Sequence, residues 1–123
     1  GLSLEAEEVS DGHTSVGKGK AQTADLCARA KGVEVVVYSS DDMAMGGLFH
    51  CMAAGIRVPD DLALFGFNGL DIGRELPQPL STIRSNRFKI GRRAVEVFLE
   101  SPIRPDAPGI IDTGFEIFEG ATA

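Results

Sequence analysis

The chain alternates between short apolar runs and longer segments with helical spacing. Residues 33–38 form a nearly continuous β-branched run, residues 62–67 form a second apolar run, and residues 81–85 form a third, shorter one. Runs of this kind are typical of strands covered on both faces, as in a parallel sheet. Residues 17–31, 43–54 and 86–100 carry apolar side chains at helical spacing. Strands that alternate with helices predict right-handed crossovers and an α/β fold with a parallel sheet flanked by helices.

Glycine and proline mark the expected boundaries. Gly32 and Gly55 are expected to end the first two helices. In the third helix, we expect the apolar side chains to be buried: Phe88, Val95, Phe98 and Leu99. Three prolines within residues 101–108 predict an extended connector. Residues 110–113 and 115–118 are the last strand candidates, a short strand is possible at residues 2–6, and the tail from Gly120 is expected to fray.

Composition excludes several classes of protein. The 123 residues suffice for one domain with a real core, with 43% hydrophobic and 24% charged residues. A net charge of -6 argues against nucleic-acid binding by this piece alone, because phosphate binding needs a basic face. No apolar run approaches the roughly 20 residues of a membrane span, and no signal peptide is visible. Cys27 and Cys51 lie in apolar helical patterns, which suits buried free thiols in a reducing, cytoplasmic compartment.

Small polar side chains follow each of the three predicted strands. Ser39 and Ser40 follow the first strand, Asn68 the second, and Ser85 and Asn86 the third. The carboxyl ends of parallel strands meet at one edge of a sheet, and ligands bind in the crevice outside that edge. The pattern therefore predicts a small-molecule site.

An ordered set of short strings resembles the sensor domain of LacI/GalR-type transcriptional repressors. The strings are Ser-Asp-Asp-Met-Ala-Met-Gly at 40–46, Ala-Gly-Ile-Arg-Val-Pro-Asp-Asp at 54–61, Gly-Phe-Asn-Gly at 66–69, Leu-Ser-Thr-Ile-Arg at 80–84 and Ile-Gly-Arg-Arg-Ala at 90–94. Each string alone is weak, but the combination in order is specific. The variants at residues 66–73 and 112–116 look most like the gluconate-operon repressor branch.

The resemblance implies a fold and a function for the chain. Such repressors join an operator-binding helix-turn-helix headpiece to a two-lobed, periplasmic-binding-protein-like (type I) sensor that holds a sugar or sugar acid between its lobes. Residues 17–123 would form an incomplete C-terminal lobe, and residues 1–16 an upstream loop or strand remnant. The headpiece would lie outside this chain, so operator DNA would be bound only through that missing part. We expect a cytoplasmic homodimer whose effector modulates operator binding.

Two candidate effector contacts come from the ends of the first and second strands. Ser40 stands where the family usually has an asparagine facing the effector, and its hydroxyl could bond a sugar oxygen. The alternative is a plain helix-capping serine. Asn68 stands where many relatives use an aspartate, so the crevice has one negative charge fewer, which suits an anionic effector such as an aldonate. Its alternative is a turn asparagine in the left-handed region.

Three further candidates are Ser85, Arg87 and Thr14. Ser85 and Arg87 match crevice-facing positions on a turn from strand to helix, where relatives often have an amide and an apolar residue. A guanidinium at a helix N-terminus is a suitable carboxylate clamp. The alternative is that Arg87 belongs to a solvated basic face with Arg84, Lys89, Arg92 and Arg93. Thr14 falls near another crevice position of the family.

Structural roles are expected for other residues. Asp41 is expected to accept N–H groups at the start of the second helix, and Asn86 to cap the third. The second helix is apolar over more than one stripe, and the resemblance places Leu48, Phe49 and Met52 at a dimer interface. The alternative for these three is deeper burial within one chain.

Other functions have weaker support. An enzyme with a dinucleotide-binding loop would need a complete G-x-G-x-x-G after a strand, which the chain lacks. A G-x-S-x-G motif is also missing, and no histidine stands beside an acid and a nucleophile. We therefore expect no catalytic activity, no cofactor, no metal site and no membrane partner. A periplasmic-type sugar-binding lobe is the alternative function, because it shares the fold.

Overall fold

A computed structural model describes residues 4–9, 11–100 and 110–123, apart from the side chain of Glu100. Four helices and four strands occur within these ranges. In chain order they are α1 (Val16–Arg29), β1 (Val35–Val37), α2 (Asp41–Ala54), β2 (Ala63–Asn68), α3 (Asp71–Arg74), β3 (Ser81–Ser85), α4 (Arg87–Glu100) and β4 (Phe115–Phe118). The three long helices and the four strands overlap the predicted segments, whereas the short α3 was not predicted. α1 ends at Arg29 with Ala30 as its C-cap, so Gly32 does not end it as predicted.

The strands form one open sheet in the order β1-β2-β3-β4. β1 pairs with β2, and β2 with β3, in parallel, which confirms the predicted α/β class. β4 runs antiparallel to β3, so the sheet is mixed. Phe65 of β2 lies opposite both Val37 of β1 and Ser81 of β3. This register brings the carboxyl ends of the three parallel strands to the same edge of the sheet.

The core lies between the sheet and the pair formed by α1 and α2. A close crossing brings these helices together: a Cβ on Gly19 would lie 2.1 Å from the carbonyl oxygen of Met43, and one on Gly46 would lie 2.1 Å from that of Val16. Only glycine leaves room for this approach. The buried cluster comprises Tyr38, Ala44, Leu48, Cys51, Leu62, Leu64 and Leu80. None of the helices in the described ranges is long and apolar enough to span a bilayer.

The opposite face of the sheet is largely exposed. Val37 is 70% exposed in β1, and Phe115 and Ile117 of β4 are also more than half exposed. The prediction that β1 is covered on both faces is therefore wrong, because α1 and α2 cover only one face. The predicted burial of α4 is wrong as well. The four apolar side chains concerned are all more than half exposed: Phe88, Val95, Phe98 and Leu99.

The C-terminal tail packs against the sheet. Thr122 is fully buried, and its hydroxyl donates to the Leu64 carbonyl at 2.8 Å and accepts the Ser81 N–H at 2.9 Å. The Leu64 N–H in turn donates to the Thr122 carbonyl at 2.7 Å. The tail therefore bonds to Leu64 of β2 and to Ser81, the first residue of β3. The prediction of a frayed end is wrong.

Several boundaries differ from the sequence-based expectation. α2 begins at Asp41 rather than residue 43, while Gly55 ends it in a left-handed conformation (φ 71°), as predicted. Residues 4–6 and 110–113 contain no strand. The expected connector at residues 101–108 and the start of the possible strand at residues 2–6 lie outside the described residues.

Candidate functional site

A cavity of about 520 Å³ opens at the carboxyl edge of the sheet. It lies between the turn after β2, the start of α4 and the segment that enters β4. Polar and charged groups dominate its wall, whose residues are Gly69, Asp71, Arg84, Ser85, Asn86, Arg87, Phe88, Lys89, Thr113, Gly114, Phe115 and Glu116. We call this space the carboxyl-edge cavity.

Ser85 and Arg87 both line the carboxyl-edge cavity. Ser85 is the last residue of β3 and is half-buried, and Arg87 is the first residue of α4 and is exposed. Asn86 stands between them, and its Oδ1 accepts the Lys89 N–H at 2.9 Å. This is the geometry of a helix cap, so Asn86 fixes the start of α4 at Arg87.

The three basic side chains of the cavity differ in their partners. Arg84 lies 4.0 Å from the carboxylate of Glu116, and the Lys89 ammonium donates to the Thr113 carbonyl at 2.9 Å. Within the described ranges, no hydrogen bond or ion pair engages the Arg87 guanidinium. Arg87 therefore presents a free fork of donors to the cavity, suited to a carboxylate.

The basic cluster at the start of α4 is divided in two. Arg92 and Arg93 pair with Glu96 at 3.6 and 3.2 Å. Arg84 and Lys89 instead line the cavity. The interpretation of this cluster as one solvated face therefore describes Arg92 and Arg93 but not Arg84 and Lys89.

Asn68 ends β2 beside the cavity and is half-buried. Its φ of 104° lies in the left-handed region, and Gly69 follows with φ 66°. The backbone of Asn68 is therefore that of a turn asparagine in the left-handed region, the alternative given for this residue. Asn68 is not itself among the cavity-lining residues, whereas Gly69, the next residue, is.

Ser40 and Thr14 lie outside the carboxyl-edge cavity. Ser40 is 4% exposed, and its Oγ accepts the Met43 N–H at 3.3 Å as the N-cap of α2. The capping alternative therefore describes this residue in the structure. Thr14 is exposed and stands just before Ser15, the N-cap of α1.

Asp41 has different partners from those predicted. Its carboxylate accepts the Leu70 N–H at 2.5 Å and the Thr82 hydroxyl at 2.6 Å. Because Ser40 already caps α2, Asp41 is free to turn towards β2 and β3. The predicted capping role of Asp41 is therefore wrong, although its structural role is evident.

The apolar residues of α2 fall into two groups. Leu48 is 3% exposed within the core, so its assignment to a dimer interface is wrong and the alternative of burial within one chain holds. Phe49 and Met52 are 42% and 68% exposed. The helix turns Leu48 towards the sheet and leaves Phe49 and Met52 accessible.

Sequence analysis missed part of the cavity wall. Asp71 comes from α3, and Thr113 and Glu116 come from the last segment of the chain. No local motif marks these residues, since the antiparallel pairing of β4 with β3 brings residue 116 opposite Arg84. The wall contains hydroxyls, carboxylates and cations. Together they can hydrogen-bond the hydroxyl groups of a ligand and pair with a negative charge on it.

The described residues contain neither an activated thiol nor a cluster of metal ligands. Burial raises the pKa of Cys51 to about 11, with the nearby Cys27 adding to the effect, and burial also raises the pKa of Cys27. Both thiols are free and are protonated near neutral pH. Across residues 4–9, 11–100 and 110–123, no group of three histidine, cysteine or acidic residues could hold a metal ion.

The chain resembles known proteins over most of its length. The family model described as periplasmic binding protein-like domain matches residues 1–109. The chain belongs to this family. Among curated proteins, it is 31% identical over 110 residues to the HTH-type transcriptional regulator IdnR of Escherichia coli K12 and 37% identical over 109 residues to the HTH-type transcriptional regulator GntR of Pseudomonas aeruginosa.

A solved structure shows the same likeness in three dimensions. A LacI family transcriptional regulator from Arthrobacter sp. FB24, in complex with lactose, has 25% sequence identity and a TM-score of 0.76, over 88% of this chain and 41% of that one. The matches to IdnR and GntR cover 89% and 85% of this chain but only 33% and 31% of those proteins. The chain therefore spans about a third of the length of these curated relatives. The resemblance to LacI-family sensor domains is confirmed.

Proposed function

We propose that the chain is an effector-sensing part of a LacI-type transcriptional repressor, and that its carboxyl-edge cavity forms one wall of a site for a sugar acid such as gluconate. The observation that carries this proposal is the Arg87 guanidinium, which lines a polar cavity at the ends of parallel strands and has no partner among the described residues. Ser85 lines the same cavity and supplies a hydroxyl. Asn68 precedes the cavity-lining Gly69 and carries no charge that would repel a carboxylate.

The family relationship supports the class of ligand and the regulatory role. A relative of the same fold was solved with lactose, a neutral sugar. The carboxyl-edge cavity differs from a site for neutral sugars alone because Arg87, a cation in its wall, has no protein partner in the part of the chain that the structure describes. This favours an effector that carries a carboxylate beside several hydroxyl groups.

Regulation would follow from a difference in effector affinity between two arrangements of a complete sensor. The effector can shift the equilibrium by no more than that difference, and a near-complete switch needs about 5.5 kcal/mol. We propose a cytoplasmic homodimer that binds its operator through a headpiece outside this chain. The exposed Phe49 and Met52 on α2 are the proposed contribution of this chain to the dimer.

The decisive experiment compares an acidic and a neutral ligand on the full-length repressor. Isothermal titration calorimetry with gluconate and with glucose should show that Arg87→Ala weakens gluconate binding by roughly tenfold to a hundredfold, as expected for a lost charge-assisted pair. Glucose binding should change much less. Arg92→Ala is the matched control, because Arg92 lies on the same helix and pairs with Glu96 outside the cavity wall. Equal losses for both ligands would contradict a carboxylate clamp at Arg87.

The isolated chain provides a second test. Only one wall of the proposed site is present here, so we expect gluconate to bind this chain weakly or not at all. Micromolar binding in calorimetry would show that the carboxyl-edge cavity is sufficient alone, which would overturn the two-walled site.

A further inference from the structure

Asp41 is a buried carboxylate whose partners among the described residues are neutral. Its relative exposure is 0%, and no lysine, arginine or histidine in the described ranges forms an ion pair with it. Its two oxygens accept the Leu70 N–H at 2.5 Å and the Thr82 hydroxyl at 2.6 Å. A buried charge is costly unless hydrogen bonds satisfy it, so these two bonds and the N-terminus of α2 together keep it in place.

These bonds connect the segments that follow β1 and β2 to the second residue of β3. Asp41 follows β1, Leu70 follows β2, and Thr82 belongs to β3. The carboxylate lies over Gly66 of β2, where an added Cβ would be 2.2 Å from Asp41 Oδ1 and 3.0 Å from Leu80 Cδ2. A glycine at position 66 is therefore needed for Asp41 to reach β3.

The bond to Leu70 holds a strained turn at the rim of the cavity. Asn68 and Gly69 both have a positive φ, of 104° and 66°. A glycine adopts such a φ readily, but for Asn68 it is unfavourable unless the surrounding structure holds it. Gly69 also packs tightly on Arg84, because a Cβ there would lie 2.3 Å from Arg84 Cγ. Since Gly69, Asp71 and Arg84 line the carboxyl-edge cavity, the position of this turn decides the shape of the wall.

We propose that Asp41 is a positioning residue for the effector site: it holds the Asn68–Asp71 turn against β3 without contacting the effector itself. This inference rests on the proposed function for its link to effector binding. The placement of the turn can be measured separately from the effector.

The hydrogen-bond geometry predicts how substitutions rank. In Asp41→Asn, the amide oxygen can still accept the Leu70 N–H, while the amide nitrogen faces Thr82. The Thr82 hydroxyl has a second acceptor, the Ile83 carbonyl at 3.3 Å, so it can rotate away and accept from the amide. Asp41→Ala loses both bonds. The effect on the turn should therefore be moderate for asparagine and large for alanine.

The first test is a nuclear magnetic resonance measurement on this chain. In Asp41→Asn, the Leu70 amide proton should shift upfield and exchange with solvent roughly tenfold faster, and the Asn68 and Gly69 amides should shift with it. Asp42→Asn, at the next position of α2, should leave all three signals in place. Unchanged Leu70, Asn68 and Gly69 signals in both Asp41→Asn and Asp41→Ala would overturn the positioning role.

The second test measures gluconate affinity of the full-length repressor by calorimetry, well below the melting temperature of each variant. Asp41→Asn and Thr82→Val should each weaken binding by roughly tenfold, whereas Thr82→Ser, which keeps the hydroxyl, should retain wild-type affinity. Lower melting temperatures with unchanged affinity would show a purely structural role and overturn the proposal.

The two tests separate the two claims. If the wild-type repressor binds no gluconate, the proposed effector class fails. The nuclear magnetic resonance result then still decides whether Asp41 positions the turn.

Discussion

Tyr38 allows the packing of α1 and α2 against the sheet to be tested directly. It is 7% exposed, and its hydroxyl lies 2.8 Å from the Thr23 hydroxyl of α1. It also fills the space above Gly47 of α2, where a Cβ would lie 2.1 Å from the tyrosine oxygen. Burial raises the pKa of Tyr38 to about 12 from its ordinary value of 10, although the Thr23 hydrogen bond opposes the shift.

This pKa shift predicts how stability depends on pH. The folded protein favours the neutral phenol of Tyr38. The contribution of this phenol to the free energy of unfolding is therefore complete below pH about 10 and is lost as the pH rises towards 12. Two pH units correspond to about 2.7 kcal/mol of unfolding free energy at most. A loss of this size is a large fraction of the stability of a small domain.

The assay is an alkaline titration followed by near-ultraviolet absorbance, with circular dichroism as the check that the chain remains folded. The chain has one tyrosine and no tryptophan, so the tyrosinate signal reports Tyr38 alone. We expect a midpoint near 12 in the wild type, and a midpoint nearer 10 in Gly47→Ala, which displaces the ring. Gly91→Ala is the matched control, because an added Cβ there meets no atom within 4 Å. A wild-type midpoint near 10 in a chain that is still folded would refute this packing.

Two further predictions concern stability and are measured by urea denaturation. Thr122→Val should lower the free energy of unfolding by about 1–3 kcal/mol, because the buried N–H of Ser81 loses its acceptor; the exposed Thr14→Val should change it little, and equal effects would argue against a docked tail. Leu48→Ala should cost about 2–5 kcal/mol as a core truncation. Met52→Ala should have a small effect in the monomer, and a loss as large as that of Leu48→Ala would contradict the exposure of Met52.

Local patterns predicted the elements that depend on local chemistry. The β-branched run at residues 33–38 contains β1, and the apolar run at residues 62–67 overlaps β2. The polar residues after each strand indicated the edge where the cavity lies. These signals are visible in sequence because strand propensity, capping and glycine stops act over a few residues.

Long-range contacts account for what the sequence could not show. Thr122 pairs with Leu64, 58 residues away, and Asp41 bonds Thr82, 41 residues away, so no short window reveals either contact. The apolar stripe of α4 has helical spacing whether or not another element covers it. Its burial was therefore predicted wrongly, while the helix itself was predicted correctly.

We propose that the carboxyl-edge cavity holds the acidic end of an effector. The most direct measurement is a crystal structure of the full-length protein grown with gluconate. We predict the gluconate carboxylate within hydrogen-bond distance of the Arg87 guanidinium, and a hydroxyl of the ligand beside Ser85. Gluconate bound elsewhere, or seated in this cavity with Arg87 turned away from its carboxylate, would contradict the account.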